Sequence, residues 1–143
     1  FITKNGIEVS DYFLIPTIPD KLSTYGIPQI IQQIDQLKTA RNLPIKCLGL
    51  LITKYNTRTK THISGAKDLP TTFEINLAKS SLGPTRVFKS IIPFAQATAN
   101  AVDFEADKLP QNFREKHGNT ESNGKLIYKH IIEATEEFIL YAK

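Results

Sequence analysis

The feature that most constrains this chain is an unbroken apolar segment at residues 47–52 (CLGLLI), followed at once by a polar one. A strand with one face in water alternates polar and apolar side chains, whereas a strand covered on both faces need not alternate. Residues 53–61 (TKYNTRTKT) carry only hydrogen-bonding side chains, and three of them are cationic. In open parallel α/β sheets, ligands bind beyond the carboxyl ends of the strands. The sequence therefore predicts a doubly covered central strand that ends at a site for an anionic ligand.

A strand and a helix are predicted before this central strand. Residues 12–15 form an aromatic and β-branched run, and the prolines that follow should end the strand within a few residues. Isoleucines then recur at helical spacing up to about Arg41. Ser23 or Thr24 is the expected N-cap, which places Pro28 near the first turn, where proline is tolerated. Strand, helix and central strand together form a βαβ unit, which is expected to be right-handed and parallel.

The pattern after the polar segment is less regular. Apolar residues within 63–69 can form a helical face, but Gly65 and Pro70 argue against a long helix. Residues 73–78 are either a second helical turn or an irregular piece. Residues 87–92 predict a third strand, which the following proline stops.

The last helix is the clearest one in the sequence and is predicted over residues 125–143. Lys129 and Glu133 form an expected i,i+4 ion pair. One apolar face recurs along this helix and comprises Ile127, Ile131, Ala134, Phe138 and Tyr141. The whole chain is thus expected to be one α/β unit over residues 1–143, a three-layer α/β/α arrangement with a mostly parallel sheet.

Composition limits the class of protein. A chain of 143 residues with 41% hydrophobic and 22% charged residues fits one globular domain. No apolar run approaches the roughly 20 residues that span a bilayer, and a cytoplasmic location is the default expectation. The net charge of +4 is compatible with a phosphate-bearing partner. The single cysteine, Cys47, excludes an internal disulfide and a cysteine-built zinc site, and its place in the apolar strand predicts an inert thiol.

No catalytic constellation is evident in the residues themselves. The three histidines, His62, His117 and His130, lack the spacing of a metal pair. The phosphate-binding pattern Gly-x-x-x-x-Gly-Lys-[Ser/Thr] is absent, and residues 123–126 (NGKL) lack both the first glycine and the hydroxyl residue. We therefore expect no catalytic residue and no metal ligand in this chain, and no phosphoryl transfer by it alone.

Four segments in consistent order nevertheless resemble one known family. They are residues 10–16 (SDYFLIP), 23–27 (STYGI), 48–59 (LGLLITKYNTRT) and 87–93 (VFKSIIP). Their order and spacing resemble the C-terminal part of ParA/Soj-type ATPases, the deviant-Walker P-loop proteins of the ParA/MinD family. That family carries its phosphate loop and switch upstream of the first of these segments. The resemblance implies that the chain is the C-terminal portion of a P-loop NTPase domain and is inactive alone.

The resemblance also implies a function for the complete protein. ATP with Mg²⁺ would drive formation of a homodimer that binds nonspecific DNA, a ParB-like partner would stimulate hydrolysis, and the ATPase would serve plasmid or chromosome partitioning or cargo positioning. A MinD-like membrane role is less supported, because no basic amphipathic terminal helix is present. The residues that the resemblance places around the adenine base are Thr53, Lys54, Ile92, Pro93, Phe94 and Gln96.

A different class of function is also compatible with the sequence. The chain can be a non-catalytic module that binds nucleic acid or protein through a basic surface. The cations that would contact phosphates are Lys54, Arg58, Lys60, Lys67, Arg86 and Lys89, with Arg58, Lys60, Arg86 and Lys89 as the principal candidates. The same cations are equally typical of an ordinary solvated surface.

Overall fold

A computed structural model describes residues 2–95, 121–122 and 124–143. The elements in chain order are α1 (Ile2–Glu8), β1 (Tyr12–Thr17), α2 (Lys21–Arg41), β2 (Lys46–Tyr55), α3 (Lys60–Leu77), β3 (Val87–Pro93), β4 (Glu121–Ser122), β5 (Lys125–Leu126) and α4 (Ile127–Ala142).

A parallel sheet of three strands in the order β1-β2-β3 forms the centre of the described structure. The middle strand is buried throughout residues 47–52, as its unbroken apolar sequence predicted. One face of the sheet packs against α2 and α3 through residues such as Ile31 and Phe73. The other face packs against α4, where Ala134 meets Leu48 and Phe88. The predicted α/β class, with a parallel sheet and helices on both faces, is confirmed.

A bulge in β2 explains why residues three positions apart in this strand face the same core. The pairing with β1 shifts beside Gly49, so Cys47 and Leu50 point to the α2–α3 core while Leu48 and Leu51 point to α4. Gly49 has a φ of +154°, and a Cβ atom there would lie 2.8 Å from the carbonyl oxygen of Arg86. The missing side chain lets β3 approach β2 at this point.

The start of α2 differs from the sequence prediction. Asp20 is the N-cap, and its Oδ1 accepts a hydrogen bond of 2.7 Å from the Ser23 amide, so neither Ser23 nor Thr24 caps the helix. Pro28 is consequently the eighth residue of the helix and lies in its interior. The prediction of a first-turn proline was wrong because the helix begins at Lys21.

The helix α3 runs unbroken through Pro70, contrary to the expected interruption. Its buried face is formed by Gly65, Leu69, Phe73 and Leu77, which lie at i+4 spacing against the sheet and α2. Burying these side chains outweighs the loss of one backbone hydrogen bond at the proline.

The last helix begins at Ile127, after the short β4–β5 hairpin, and not at residue 125 as predicted. Ile127 and Ala134 of the predicted apolar face are buried, but Phe138, which was predicted on the same face, is 42% exposed. Glu133 pairs with Lys125 at 2.6 Å, in place of the expected Lys129 pair. No helix in residues 2–95, 121–122 and 124–143 is both long and apolar enough to cross a membrane.

One carboxylate fastens α4 to the outer edge of β3. Glu137 accepts hydrogen bonds from the amides of Lys89 and Ser90 at 2.7 and 2.9 Å. The hydroxyls of Ser90 and Tyr141 also donate to this carboxylate, both at 2.7 Å. Arg86 completes the junction, since its Nη1 donates to the Tyr141 carbonyl at 2.9 Å and its guanidinium lies 5.1 Å from the Tyr141 ring centre. Burial opposes ionisation of Glu137, yet these donors hold its pKa below the usual value.

Candidate functional site at the carboxyl edge of the sheet

The carboxyl ends of β1, β2 and β3 lie side by side and are joined by specific hydrogen bonds. The Thr53 hydroxyl donates to the Thr17 carbonyl at 3.2 Å, which joins β2 to β1. On the other side, Tyr55 lies opposite Pro93, and the Phe94 amide donates to the Tyr55 carbonyl at 2.9 Å. Residues from three distant parts of the sequence therefore meet at one edge of the sheet.

Lys54 has an unusual backbone conformation at this edge. Its φ of +51° is left-handed, and the pairing of β2 with β3 shifts between Ile52 and Tyr55. A non-glycine residue in this conformation costs about 1–3 kcal/mol, and such strain concentrates at functional sites. The conformation turns the end of β2 and leaves the Lys54 side chain exposed.

The end of β3 contributes an apolar surface to the same edge. Ile92 is half-buried and Pro93 is buried, whereas the Phe94 side chain is 53% exposed. An aromatic ring with this exposure, held by a backbone hydrogen bond to the neighbouring strand, offers a face on which a planar group can stack. Of the six predicted adenine-site residues, Thr53, Lys54, Ile92, Pro93 and Phe94 are thus brought to adjacent strand ends. Gln96 lies outside the described residues.

Asn56 in the loop after β2 contacts His62 in the first turn of α3, and sequence reasoning assigned neither residue to the site. The Asn56 amide donates a hydrogen bond to Nδ1 of His62 at 3.2 Å. The Asn56 side-chain oxygen accepts from the Arg58 amide at 2.9 Å, which closes an Asx turn. An asparagine at this position is typical of such a turn, whereas the contact of Asn56 with His62 depends on the tertiary structure.

A cleft of about 200 Å³ opens beside this loop, between the first turns of α2 and α3. Asp20 and Asp68 line it together with Tyr25 and the hydroxyl residues Thr24, Thr61 and Ser64. The hydrogen bonds from the amide and the hydroxyl of Ser23 lower the pKa of Asp20 against the opposing effect of burial. Gly65 also lines this cleft, and its missing side chain lets α3 approach the Pro19 backbone, since a Cβ atom at Gly65 would lie 2.4 Å from the Pro19 carbonyl oxygen.

The four principal cations do not form one surface. Arg58 and Lys60 are exposed beyond the carboxyl end of β2, where α3 begins. Arg86 precedes β3 and contacts the end of α4, and Lys89 is exposed in the middle of β3. A strand of seven residues spans about 20 Å, which separates Arg86 from the carboxyl edge. Lys54 and Arg58 flank the candidate site, whereas Lys67 is exposed further along α3.

The remaining side chains with reactive groups are one cysteine and two histidines. Burial raises the pKa of the Cys47 thiol to about 12, in agreement with the predicted inert cysteine. His130 contacts the Ser122 carbonyl at 3.0 Å, and His117 lies outside the described residues. In the described part of the chain, no three His, Cys, Asp or Glu side chains lie close enough together to hold a metal ion.

No protein-family model matches this sequence, and a search of curated proteins found no significant similarity. The candidate site is therefore interpreted from its own geometry.

Proposed function

We propose that this chain is the adenine-binding, C-terminal portion of a ParA/MinD-type ATPase domain. The observation that carries the proposal is the convergence of Thr53, Lys54, Pro93 and Phe94 at the carboxyl edge of a parallel sheet. This edge is where open α/β sheets bind ligands. The four residues come from segments 40 positions apart in sequence, and only pairing of β2 with β3 joins them.

The residues present fit a purine base. The exposed Phe94 ring offers a stacking face, and the buried Pro93 that precedes it restrains the backbone next to the ring. The Thr53 hydroxyl donates its proton to Thr17, so its oxygen can accept a hydrogen bond from an exocyclic amine such as that of adenine. Lys54, exposed on a left-handed turn, adds a positive charge next to an anionic ligand.

The triphosphate would be held by residues outside this chain. The sequence has no phosphate-binding loop, and the chemistry of phosphoryl transfer requires one or an equivalent set of donors. When bound in the complete protein, ATP with Mg²⁺ supplies the group that is hydrolysed. By resemblance, the ATP-bound complete protein would form a homodimer, bind nonspecific DNA and respond to a ParB-like partner in partitioning or cargo positioning.

The test replaces the stacking ring and leaves the rest of the edge intact. In the complete protein, Phe94→Ser should weaken ATP binding about tenfold, since stacking of a base on an aromatic ring contributes roughly 1–3 kcal/mol. Phe138→Ser is the matched control, because Phe138 is a similarly exposed phenylalanine on α4. Binding of ATP is measured by calorimetry or by displacement of a fluorescent ATP analogue. Equal affinities for the wild type and the Phe94→Ser variant would refute the adenine assignment.

A second candidate function is a nucleic-acid-binding module without hydrolysis. The observation in its favour is the exposure of Arg58 and Lys60, which lie on either side of Thr59, the N-cap of α3. Binding through these cations releases counterions and weakens steeply with salt. If the chain retains a DNA duplex without ATP, loses it between about 50 and 200 mM salt, and is unaffected by Phe94→Ser, this second function replaces the first.

A further inference from the structure

Two histidines in the described part of the chain contact backbone groups of opposite kinds. Nε2 of His130 lies 3.0 Å from the Ser122 carbonyl, which can only accept a hydrogen bond, so this contact needs a ring nitrogen that carries a proton. Nδ1 of His62 lies 3.2 Å from the Asn56 amide, which can only donate. An amide donates only to a ring nitrogen without a proton. Ionisation of the ring is therefore compatible with the first contact and incompatible with the second.

Asn56 organises the loop between β2 and α3 through three of its polar groups. Its backbone carbonyl accepts a hydrogen bond from the Thr59 amide at 3.2 Å. Its side-chain oxygen accepts one from the Arg58 amide at 2.9 Å. These two bonds close the loop on itself, whereas the third group, the Asn56 amide, bonds to His62 and so joins the loop to the helix.

The position of His62 in α3 makes this contact important for the start of the helix. The N-cap of α3, Thr59, makes no side-chain hydrogen bond to the helix. His62 is the third residue of α3, a position from which a side chain can reach back to an amide that precedes the helix. A positive charge is unfavourable in the first turn of a helix, because the amides there already carry partial positive charge. Ionisation of His62 would thus remove the bond to Asn56 and also weaken the first turn of α3.

One carboxylate and several cations surround His62. Asp20, the N-cap of α2, lies close enough for a charge on His62 to act on its carboxylate, so an ionised ring is attracted to Asp20. Aspartate, tyrosine, lysine and arginine side chains ordinarily keep the same charge between about pH 5 and 8, whereas histidine changes its charge in this range. The other charged or titratable groups near the first turn of α3 are Lys21, Tyr25 and Asp68, which line the adjacent cleft, and Lys54, Tyr55, Arg58 and Lys60, which lie along the chain from the end of β2 into α3.

We infer that His62 is a pH-sensitive contact that holds the loop between β2 and α3 when its ring is neutral and releases the loop when its ring is ionised. The neutral ring accepts from the Asn56 amide, and the ionised ring interacts with Asp20 instead. The loop contains Arg58 and follows Lys54, the two cations that flank the candidate site. Acidification therefore alters the conformation of one side of that site, whichever ligand binds there.

The test follows the Asn56 amide and the His62 ring by NMR of the purified protein between about pH 8 and pH 5, without ATP. In the wild type, the Asn56 amide resonance should titrate with the same midpoint as the His62 ring. The protection of this amide from hydrogen exchange, corrected for the intrinsic effect of pH, should fall about fivefold, the loss expected for one neutral hydrogen bond.

Three variants separate the ring from other causes. In His62→Asn, the side-chain oxygen takes about the place of Nδ1 and accepts at every pH, so the Asn56 amide should stay protected at pH 5. In His62→Ala, the amide should lack this protection even at pH 8. His130→Asn is the matched control, because His130 contacts a carbonyl, and it should leave the titration of Asn56 unchanged.

Several results would overturn the inference. An Asn56 amide that does not respond while the His62 ring titrates is not held by that ring. Equal protection of Asn56 in the wild type and His62→Ala at pH 8 leads to the same conclusion, and a loss of protection in acid that His62→Asn shares with the wild type has its cause in another group. Circular dichroism verifies that each variant folds, and the titration of the wild type is decisive without any substitution. Because ATP is absent throughout, these outcomes are independent of the proposed adenine site.

Discussion

Replacement of Glu137 tests how far its hydrogen bonds stabilise the contact between α4 and β3. Its two carboxylate oxygens accept four hydrogen bonds, two of them from backbone amides on the outer edge of β3. In Glu137→Gln, one oxygen becomes an NH₂ group in either orientation of the amide. The hydroxyls of Ser90 and Tyr141 can rotate to accept from that group, but a backbone amide cannot.

The magnitude follows from this geometry. The variant loses one charge-assisted hydrogen bond to a backbone amide, which contributes about 1.5–3 kcal/mol, and partial exposure brings the expected loss to about 2 kcal/mol. Glu137→Ala removes all four bonds and should cost about 3–4 kcal/mol. Urea unfolding followed by circular dichroism gives both values, with Glu136→Gln, an exposed neighbour on the same helix, as the control. That control should stay within about 0.5 kcal/mol of the wild type.

The pH dependence gives a second measurement with a fixed sign. Burial acts to raise the pKa of Glu137, but its hydrogen bonds hold that pKa in the folded state below its ordinary value. The stabilisation is therefore fully present above the unfolded pKa and is lost as the pH falls through the folded pKa. Wild type and Glu137→Gln should differ above pH 5 and converge in stronger acid. A variant as stable as the wild type at pH 7 would refute the role assigned to this carboxylate.

Two further predictions concern backbone conformation. Gly65→Ala should lower the free energy of unfolding by about 1–3 kcal/mol, because the new methyl group collides with the rigid Pro19 backbone. The control is Gly26→Ala, at an open helical position, which should not be destabilising. Equal thermal melts of these two variants would contradict the close approach of Gly65 to Pro19. Lys54→Gly should be at least as stable as the wild type, whereas Lys54→Val should lower the free energy of unfolding by about 1 kcal/mol or more, because a β-branched residue disfavours the left-handed conformation. Equal stabilities of the two variants in denaturant unfolding would argue against a positive φ at residue 54.

The order of strands and helices could be predicted from the sequence because it depends on local pattern. An unbroken apolar run at residues 47–52 requires cover on both faces, and the structure provides it with α2 and α3 on one side and α4 on the other. The element boundaries were less well predicted. Asp20 competes with Ser23 and Thr24 for the same N-cap, and only the folded loop shows which side chain reaches an orphan amide.

The prediction of a break in α3 failed for a different reason. Gly65 and Pro70 both have low helix propensity, so each is unfavourable in an isolated helix. The glycine is required where α3 crosses the Pro19 backbone, and the proline is tolerated because Leu69 and Phe73 are fully buried beside it. Tertiary packing therefore overrides propensity in this helix.

The candidate site, too, could be predicted from the sequence only in part. The resemblance to a family nominated Thr53, Lys54, Pro93 and Phe94, and the polar run after β2 marked one end of the site. The strain at Lys54, the contact of Asn56 with His62 and the separation of Arg86 from the other cations have no signature in the sequence. Each depends on how the strands are paired and where their ends fall.

By itself, the sequence determined the three strands of the parallel sheet, the helices α2 and α4, and which strand is buried on both faces, because hydrophobic periodicity is read one element at a time. The tertiary structure alone decided which strand ends are neighbours, where the backbone must turn left-handed, and which charges are consumed in fastening helices to strands. Asp35 and Lys38 illustrate the difference, since in the sequence they are ordinary helix charges. In the fold both side chains bond to Ser81, which leaves the exposed side of α2 without a charged residue between Leu22 and Ala40. Contacts between residues distant in sequence have no local pattern, and they set the chemistry of this protein's surface.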